Sequence, residues 1–294
     1  VKAIVKTQPA HGAEYLDFVL PEMGPNDVRV KPVACAICGT DIHVYEWNAW
    51  AAKTVEKAYG KLPRVLGHEF SGEVVEVGKN VTKVKVGDRV AAETHIPCGN
   101  CFLCRTGKQF NCQNVRRFKT GVFAEYAVIP EFSAELVPDN VPDHVAALFE
   151  PFGVAVHAVS YVRMVGDTVA VVGAGPIGLF VTLLARSMGA SRILVTDVSD
   201  YRLDLALKLG ATRAADNAEL GHTSDVIVIC VTSAADVEQV VTQILTDPKP
   251  GLLILDASTS EPSTTYRLAE LAAGKGAKFA DIPLTECLHT QPTN

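Results

Sequence analysis

Thr168-Val-Ala-Val-Val-Gly173-Ala-Gly175-Pro-Ile-Gly178 is the stretch whose reading decides the fold of this chain. Its first five residues carry no charge and do not alternate, so they read as a strand buried on both faces, the kind a parallel sheet contains. A Gly-x-Gly-x-x-Gly run follows at once and opens a helix over Pro176–Ser187. In that setting Gly173 permits the tight turn, Gly175 lets backbone approach a pyrophosphate, and Gly178 lets helix and strand pack closely. The helix N-terminus then faces the phosphate charge. Asp197 closes the next strand, close to the distance at which a carboxylate accepts hydrogen bonds from the adenosine ribose and repels a 2′-phosphate. NAD is therefore expected rather than NADP. Arg202, behind the aspartate, is expected to pack on the ribose region or bond to it.

Downstream, Ile193–Thr196, Asp225–Cys230, Leu252–Leu255 and Lys278–Ala280 read as further strands. Tyr201–Leu209, Ala234–Leu245 and Ser263–Ala273 read as the helices between them. Buried strands alternating with helices mean an α/β fold with a doubly wound, Rossmann-type sheet. Upstream, Val154–Val162 reads as a helix, and before it the rhythm changes. Short Val-rich segments (Val28–Val33, Glu73–Val77, Arg89–Ala92, Ala124–Ile129) are separated by Gly, Pro, Asp and Asn turns, which suits an irregular antiparallel barrel or sandwich. The expected boundary lies near residues 148–152. It divides the chain into a β-rich domain over 1–149 and a dinucleotide-binding domain over 150–294.

A length of 294 residues accommodates two such domains, each with its own core. With 48% apolar and 20% charged residues the composition is that of an ordinary globular protein, and the formal net charge of −6 argues against nucleic acid or an anionic membrane as partner. Thr168–Ala185 lacks charge and is nearly long enough to span a bilayer, but its glycine turn breaks it into strand and helix. No apolar signal segment stands at Val1–Lys6, so the expected compartment is the cytoplasm, where eight cysteines are more readily metal ligands than disulfide partners.

Four of those cysteines form Cys98-x2-Cys101-x2-Cys104-x7-Cys112, a spacing that can turn four sulfurs onto one tetrahedral zinc. Such a site is closed and structural, within a lobe spanning about residues 97–121. A second set, Cys38, His68 and Glu69, offers a thiolate, an imidazole and a carboxylate, a mixture that could leave one position open for substrate. Glu150, at the domain boundary, is a further candidate ligand. Thr40 and His43 follow Cys38 closely: a hydroxyl can take the proton of an alcohol and an imidazole can carry it onward. Cys35 and Cys38 form a Cys-x-x-Cys pair, in which Cys35 is read as a packing residue.

These motifs resemble those of the zinc-dependent medium-chain dehydrogenases. The residues that carry the resemblance are Cys38-Gly-Thr-Asp-Ile-His-Val-Tyr-Glu-Trp-Asn-Ala-Trp-Ala-Ala-Lys-Thr54, Gly67-His-Glu-Phe-Ser-Gly72 and Val86-Gly-Asp-Arg-Val90, with the four-cysteine lobe, Phe123-Ala-Glu-Tyr126, Glu150-Pro-Phe-Gly153 and Gly173–Gly178. Over about residues 1–215 it implies a GroES-like catalytic domain joined to the Rossmann domain. It implies catalytic zinc on Cys38, His68 and Glu69, a proton relay through Thr40 and His43, and Glu150 assisting at the metal or in the relay. Ile177, Asp197 and Arg202 would contact NAD. The implied reaction is hydride transfer from the secondary alcohol of L-threonine to NAD, with a polyol or another secondary alcohol as alternative substrate and a dimer or tetramer as the assembly.

Further along, Asp225–Val240, Leu253-Ile-Leu-Asp-Ala-Ser-Thr-Ser-Glu-Pro262 and Gly276-Ala-Lys-Phe-Ala-Asp-Ile-Pro283 are similar instead to the β-hydroxyacid dehydrogenases. Both families use the same nucleotide-binding sheet, so the chain reads either as strands one to three of one joined to strands four to six of the other, near residues 211–224, or as a sequence with segments missing. The interval Asn217–Asp225 is expected to be too short for the usual crossover helix. Glu286–Asn294 matches neither family. A zinc-stabilised nucleotide-binding scaffold without catalytic activity is the reading from outside the enzymes.

Overall fold

The computed structural model describes residues 1–109, 112, 114, 117–118, 121–160, 162–258 and 260–282. The chain divides into two compact units, Val1–Glu150 and Pro151–Asn294.

In the first unit, β1 (Lys2–Lys6), β2 (Glu14–Asp17) and β4 (Arg64–Val65) form a three-stranded antiparallel sheet in the order β2-β1-β4. The main sheet has the order β10-β6-β5-β3-β9, built from β3 (Asp27–Ala36), β5 (Glu69–Val77), β6 (Arg89–Ala92), β9 (Ala127–Pro130) and β10 (Ala134–Leu136). Val28 and Val30 alternate with Arg29 and Lys31, so one face of β3 meets Phe70, Val74, Val90 and Ile129 in the core and the other meets solvent. Pro32 cannot donate to the ladder, and the register of β3 against β5 shifts beside it. A short hairpin of β7 (His95–Ile96) and β8 (Arg117–Phe118) borders the cysteine lobe, which also holds α3 (Phe102–Arg105).

Two helices absent from the sequence-based expectation follow β3: α1 (Gly39–Glu46) and α2 (Ala49–Tyr59). The chain leaves α1 through Trp47, a non-glycine residue in the left-handed region (φ 53°), and enters α2 at once through Asn48. Lys6 secures this corner. Its side chain is fully buried, and its ammonium donates to the carbonyls of Ala10, Gly12 and Tyr45 and faces the Trp47 ring. A buried ammonium with every hydrogen placed is a strong local tether. The unit closes with α4 (Asp143–Ala146) and the start of α5 (Phe149–Ser160).

In the second unit, six strands form a wholly parallel sheet in the order β13-β12-β11-β14-β15-β16. They are β11 (Thr168–Val172), β12 (Arg192–Thr196), β13 (Thr212–Arg213), β14 (Val226–Ile229), β15 (Leu253–Asp256) and β16 (Lys278–Asp281). The helices between are α6 (Pro176–Ser187), α7 (Asp200–Lys208), α8 (Asn217–Thr223), α9 (Ala234–Ile244) and α10 (Pro262–Gly274). Strand side chains divide between two cores: Val169, Val171, Val195 and Val228 face one layer, and Ala170, Val172, Leu194 and Ile229 the other. Helices on both faces explain why these strands read as continuous apolar runs. The winding reverses between β11 and β14, the place where doubly wound sheets bind ligands.

The uncharged run Thr168–Ala185 is divided between β11 and α6, and among the described residues no helix is long and apolar enough to cross a membrane. One expectation is corrected. The interval judged too short for a crossover helix contains α8, seven residues long. Asp216 caps it by accepting the Glu219 N–H at 2.8 Å, and Gly221 allows the backbone at Ile244 to come close. Cys35 also differs from a packed core residue: it is exposed, with its thiol 3.6 Å from the Val122 carbonyl oxygen. Glu286–Asn294 lies outside the described residues.

Candidate functional site

Cys38 is the N-cap of α1, with an extended backbone at the end of β3. His68 and Glu69 stand where the chain enters β5, whose first residue pairs with Ala36 at the end of β3. The β3–β5 pairing thus carries both halves of the set to one place, and one donor atom from each of Cys38, His68 and Glu69 lies within 4.8 Å of the other two. His68 and Glu69 are buried and Cys38 is half-buried.

Asp41, to which the sequence analysis gives no role, joins these pieces. It is buried on α1; one carboxylate oxygen accepts the Cys38 N–H at 3.2 Å, and the other accepts the Gly67 N–H at 3.1 Å. The second oxygen also lies 3.6 Å from Nδ1 of His68, a buried atom with no hydrogen-bond partner among the described residues. The ring therefore presents one nitrogen to a carboxylate and keeps the other for a ligand, the arrangement found around metal-bound histidines.

Charge in this pocket is dense. Burial opposes a proton on His68, yet Asp41 and Cys38 together outweigh it and raise the imidazole to about 11. Burial first, and Glu150 next, push Glu69 up to about 7. Burial likewise raises Glu150, whose carboxylate accepts the Thr94 hydroxyl at 3.1 Å. Several acidic groups sharing one imidazole make a site whose electrostatics call for a cation, so the donor set suits zinc in both charge and chemistry. Glu150 stands near this set but not within it. Thr40 and His43 lie three residues apart on α1 and so on one face of it, with Thr40 half-buried and His43 exposed.

The four cysteines Cys98, Cys101, Cys104 and Cys112 also converge, one sulfur each within 4.8 Å. Sulfur–sulfur distances are 3.5 Å for Cys101–Cys104, 3.8 Å for Cys98–Cys104 and 3.9 Å for Cys101–Cys112. Backbone N–H groups point at the sulfurs: Cys101 at Cys98, Cys104 at Cys101, and Cys98 at Cys112. The Asn100 N–H, then that of Cys101, draws the Cys98 thiol down to about 6. Burial first, and the neighbouring sulfurs next, push Cys104 up to about 12, so backbone donors alone do not make four thiolates. Four gathered sulfurs suit a closed zinc site, where the cation supplies the missing positive charge.

At the nucleotide turn the three glycines differ. A Cβ on Gly173 would strike the Cys230 carbonyl oxygen, and one on Gly178 would strike that of Gly173, so the protein's own packing accounts for both. A Cβ on Gly175 would meet nothing. Its bareness serves no internal contact and leaves a cradle at the N-terminus of α6, where no side chain caps the helix. Ile177 is half-buried on α6 and packs on the core beneath. Asp197 follows β12 directly, with its side chain buried; its oxygens accept the N–H groups of Ala174 at 2.6 Å and Ser199 at 2.7 Å. Arg202 lies 3.9 Å from the Asp197 carboxylate with about half its side chain (52%) exposed. The cradle thus fits a dinucleotide phosphate with a fixed carboxylate beside it.

Of the neighbours that sequence reasoning missed, Asp41 had a signal, three residues after Cys38 in capping-box position. Asn48 had another, as a cap residue ahead of a helix. Thr94 had none.

Residues 24–142 match the alcohol dehydrogenase GroES-like domain, and residues 168–286 match the NAD binding domain of 6-phosphogluconate dehydrogenase. The chain is 43% identical over 240 residues to L-threonine 3-dehydrogenase of Pectobacterium atrosepticum, covering 81% of this chain and 65% of that protein. With L-threonine 3-dehydrogenase of Proteus mirabilis the identity is again 43% over 240 residues, and the match covers 81% of this chain and 69% of the relative. The chain thus spans less than two thirds of the length of the first of these relatives and 69% of the second. Among solved structures, galactitol-1-phosphate dehydrogenase from Escherichia coli superposes with a TM-score of 0.80 at 25% identity, over 96% of this chain and 82% of that one.

Proposed function

Because the chain belongs to the zinc-dependent medium-chain dehydrogenase family, we propose that it oxidises the secondary alcohol of L-threonine with NAD, giving 2-amino-3-oxobutyrate. The observation that carries this reading is the gathering of Cys38, His68 and Glu69 within 4.8 Å in a chain that resembles L-threonine 3-dehydrogenases. Catalytic zinc would be held by those three residues and structural zinc by Cys98, Cys101, Cys104 and Cys112. When bound, catalytic zinc supplies a Lewis acid for the alcohol oxygen and NAD supplies the hydride acceptor.

The chain's own residues do the rest. Asp41 orients His68 and ties it to the helix that carries Cys38. Thr40 and His43 are the polar pair beside the ligand helix cap, placed to handle the proton the alcohol gives up. Glu150, whose pKa burial raises and whose carboxyl accepts the Thr94 hydroxyl, assists at the metal or in the relay. Gly175 and the α6 N-terminus receive the pyrophosphate, Ile177 and Arg202 flank the dinucleotide, and Asp197 favours NAD over NADP. The span 1–149 acts as the catalytic domain and 150–294 as the nucleotide-binding domain, in a cytoplasmic homo-oligomer, a dimer or tetramer.

A polyol is the second reading, favoured by the likeness to galactitol-1-phosphate dehydrogenase. NADH formation with L-threonine, sorbitol, 2,3-butanediol and 3-hydroxyisobutyrate distinguishes these. Threonine should give the highest kcat/KM; a preference for sorbitol would favour the polyol reading. Binding of NAD with no oxidation of any alcohol by the two-zinc protein would overturn the enzyme reading in favour of the scaffold.

A further inference from the structure

Gly67, the residue before His68 and Glu69, is held on three sides. Its N–H donates to the Asp41 carboxylate at 3.1 Å. Its carbonyl oxygen accepts two backbone N–H groups, those of Gly121 at 2.8 Å and Val122 at 3.3 Å. The third side is covered by a ring, because a Cβ built on Gly67 would strike the side chain of Phe123. Gly67 lies in the left-handed region (φ 83°), where glycine is the residue that fits without strain. That same freedom would make it the loosest joint beside the ligands, and the ring of Phe123 fills the space in which the joint could move.

Phe123 is itself fixed. Its N–H donates to the Leu66 carbonyl at 3.0 Å, and its own carbonyl accepts the Ile4 N–H at 2.8 Å. Its side chain packs against two cores. One holds Val44, Ala51, Val55 and Leu66, and so includes α1, the helix that Cys38 caps. The other is the core of the main sheet and includes Phe70, the neighbour of Glu69 on β5. The two halves of the metal set come from these same two elements.

The geometry points to Phe123 as a positioning residue: its ring, laid on Gly67 and shared by the two cores, holds His68 and Glu69 in place relative to Cys38. An apolar ring supplies neither a ligand atom nor a proton, so its effect runs through the backbone of Gly67. The inference rests on the zinc reading of Cys38, His68 and Glu69 given above, and adds an apolar support to the polar one from Asp41. Donor placement governs which ion a site accepts and how firmly.

Phe123→Leu keeps an apolar side chain but takes the flat ring off Gly67. Ile129→Val removes packing from the same sheet core and leaves the ring in place, so it controls for lost packing alone. Cadmium nuclear magnetic resonance on the full chain, loaded with two equivalents of cadmium, reads each site separately, because the shift of the metal nucleus follows its donor atoms. The four-cysteine resonance should hold its position in all three proteins. The mixed-site resonance should move in Phe123→Leu and stay in Ile129→Val. Zinc at the mixed site should yield to a graded chelator about tenfold more readily in Phe123→Leu alone. Phe123→Met, nearer to the ring in volume, is read in the same way should Phe123→Leu fail to fold. An unmoved mixed-site resonance without the ring, or an equal movement in Ile129→Val, would overturn the role of Phe123. Neither readout needs a substrate. A parent with no mixed-donor resonance would overturn the zinc reading and this inference with it, whereas a parent resonance indifferent to Phe123 overturns this inference alone.

Discussion

Single side chains in this protein hold functions that the motif residues cannot perform alone, and Asp41 is the sharpest case. Its two oxygens fasten Cys38, Gly67 and His68 together. Asp41→Ala should weaken zinc at the mixed site by about 10- to 100-fold, as loss of a carboxylate behind a metal-bound histidine does elsewhere, and leave zinc on the four cysteines in place. Zinc retention measured against a graded chelator checks this; equal loss from both sites would contradict it. The glycine turn gives a second residue-scale test. Gly178→Ala should destabilise the fold by about 1–3 kcal/mol, because its Cβ has no room against the Gly173 carbonyl. Gly175→Ala should keep the parent's unfolding midpoint and lose about tenfold in NAD affinity, roughly 1.4 kcal/mol, since its Cβ would project into the cradle. Thermal melts and calorimetric titration with NAD separate the two. At this scale the sequence was legible wherever spacing itself carried the chemistry, as in the four cysteines. It was silent on Thr94, whose only qualification is that folding places it against Glu150.

Among the elements, the parallel strands were the most legible, because burial on both faces removes polar residues and leaves an unbroken apolar signature. The helices α1 and α2 were obscured by the motif they carry: Cys38, Thr40 and His43 serve the site, and no apolar stripe marks α1. Helix α8 was missed because a seven-residue element depends on its Asp216 cap and on contacts with α9, neither visible as periodicity. The strand that follows it, β14, is fixed mainly by burial. Each of its fully buried isoleucines is worth about 1.5–3 kcal/mol. Asp225, just before β14, adds a smaller, pH-dependent contribution. The Lys249 ammonium first, and the Thr168 N–H at 2.9 Å next, hold its carboxyl below the ordinary value. A lowered folded-state value stabilises above the unfolded pKa of about 4 and loses that effect as pH falls through the folded value. Asp225→Asn should therefore cost about 0.5–1 kcal/mol at pH 7, solvent screening included. Urea unfolding at pH 7 and at successively lower pH checks it: the gap between parent and variant should narrow in acid, and a gap that widened would reverse the sign.

For the whole molecule, the likeness of 240 residues to L-threonine 3-dehydrogenase and of residues 168–286 to the NAD binding domain of 6-phosphogluconate dehydrogenase becomes intelligible in the sheet that the two matches share. Strands β13, β12 and β11 lie on one side of the reversal and β14, β15 and β16 on the other, with every pairing parallel and in register. A sheet of this order needs only apolar strands of matching length at β11 and β14, and Val169–Val172 against Val226–Ile229 supplies them. The two metal sets divide the molecule differently. One is closed, with four sulfurs that draw on one another and on backbone N–H groups. The other is mixed, one cysteine sulfur with an imidazole and a carboxylate, a donor set of the kind that leaves a position open for exchange. A chelator should therefore remove metal in two steps from a protein holding two zincs per chain. The first equivalent leaves from Cys38, His68 and Glu69, abolishing alcohol oxidation while NAD binding at the Gly175 cradle and the far-ultraviolet circular dichroism persist. The second leaves from the four cysteines and lowers the unfolding midpoint, because metal affinity at a structural site is folding energy. Metal analysis, activity and circular dichroism followed along one chelator titration test the order. Loss of fold with the first equivalent, or full activity after it, would show that the closed and open roles are assigned to the wrong sites.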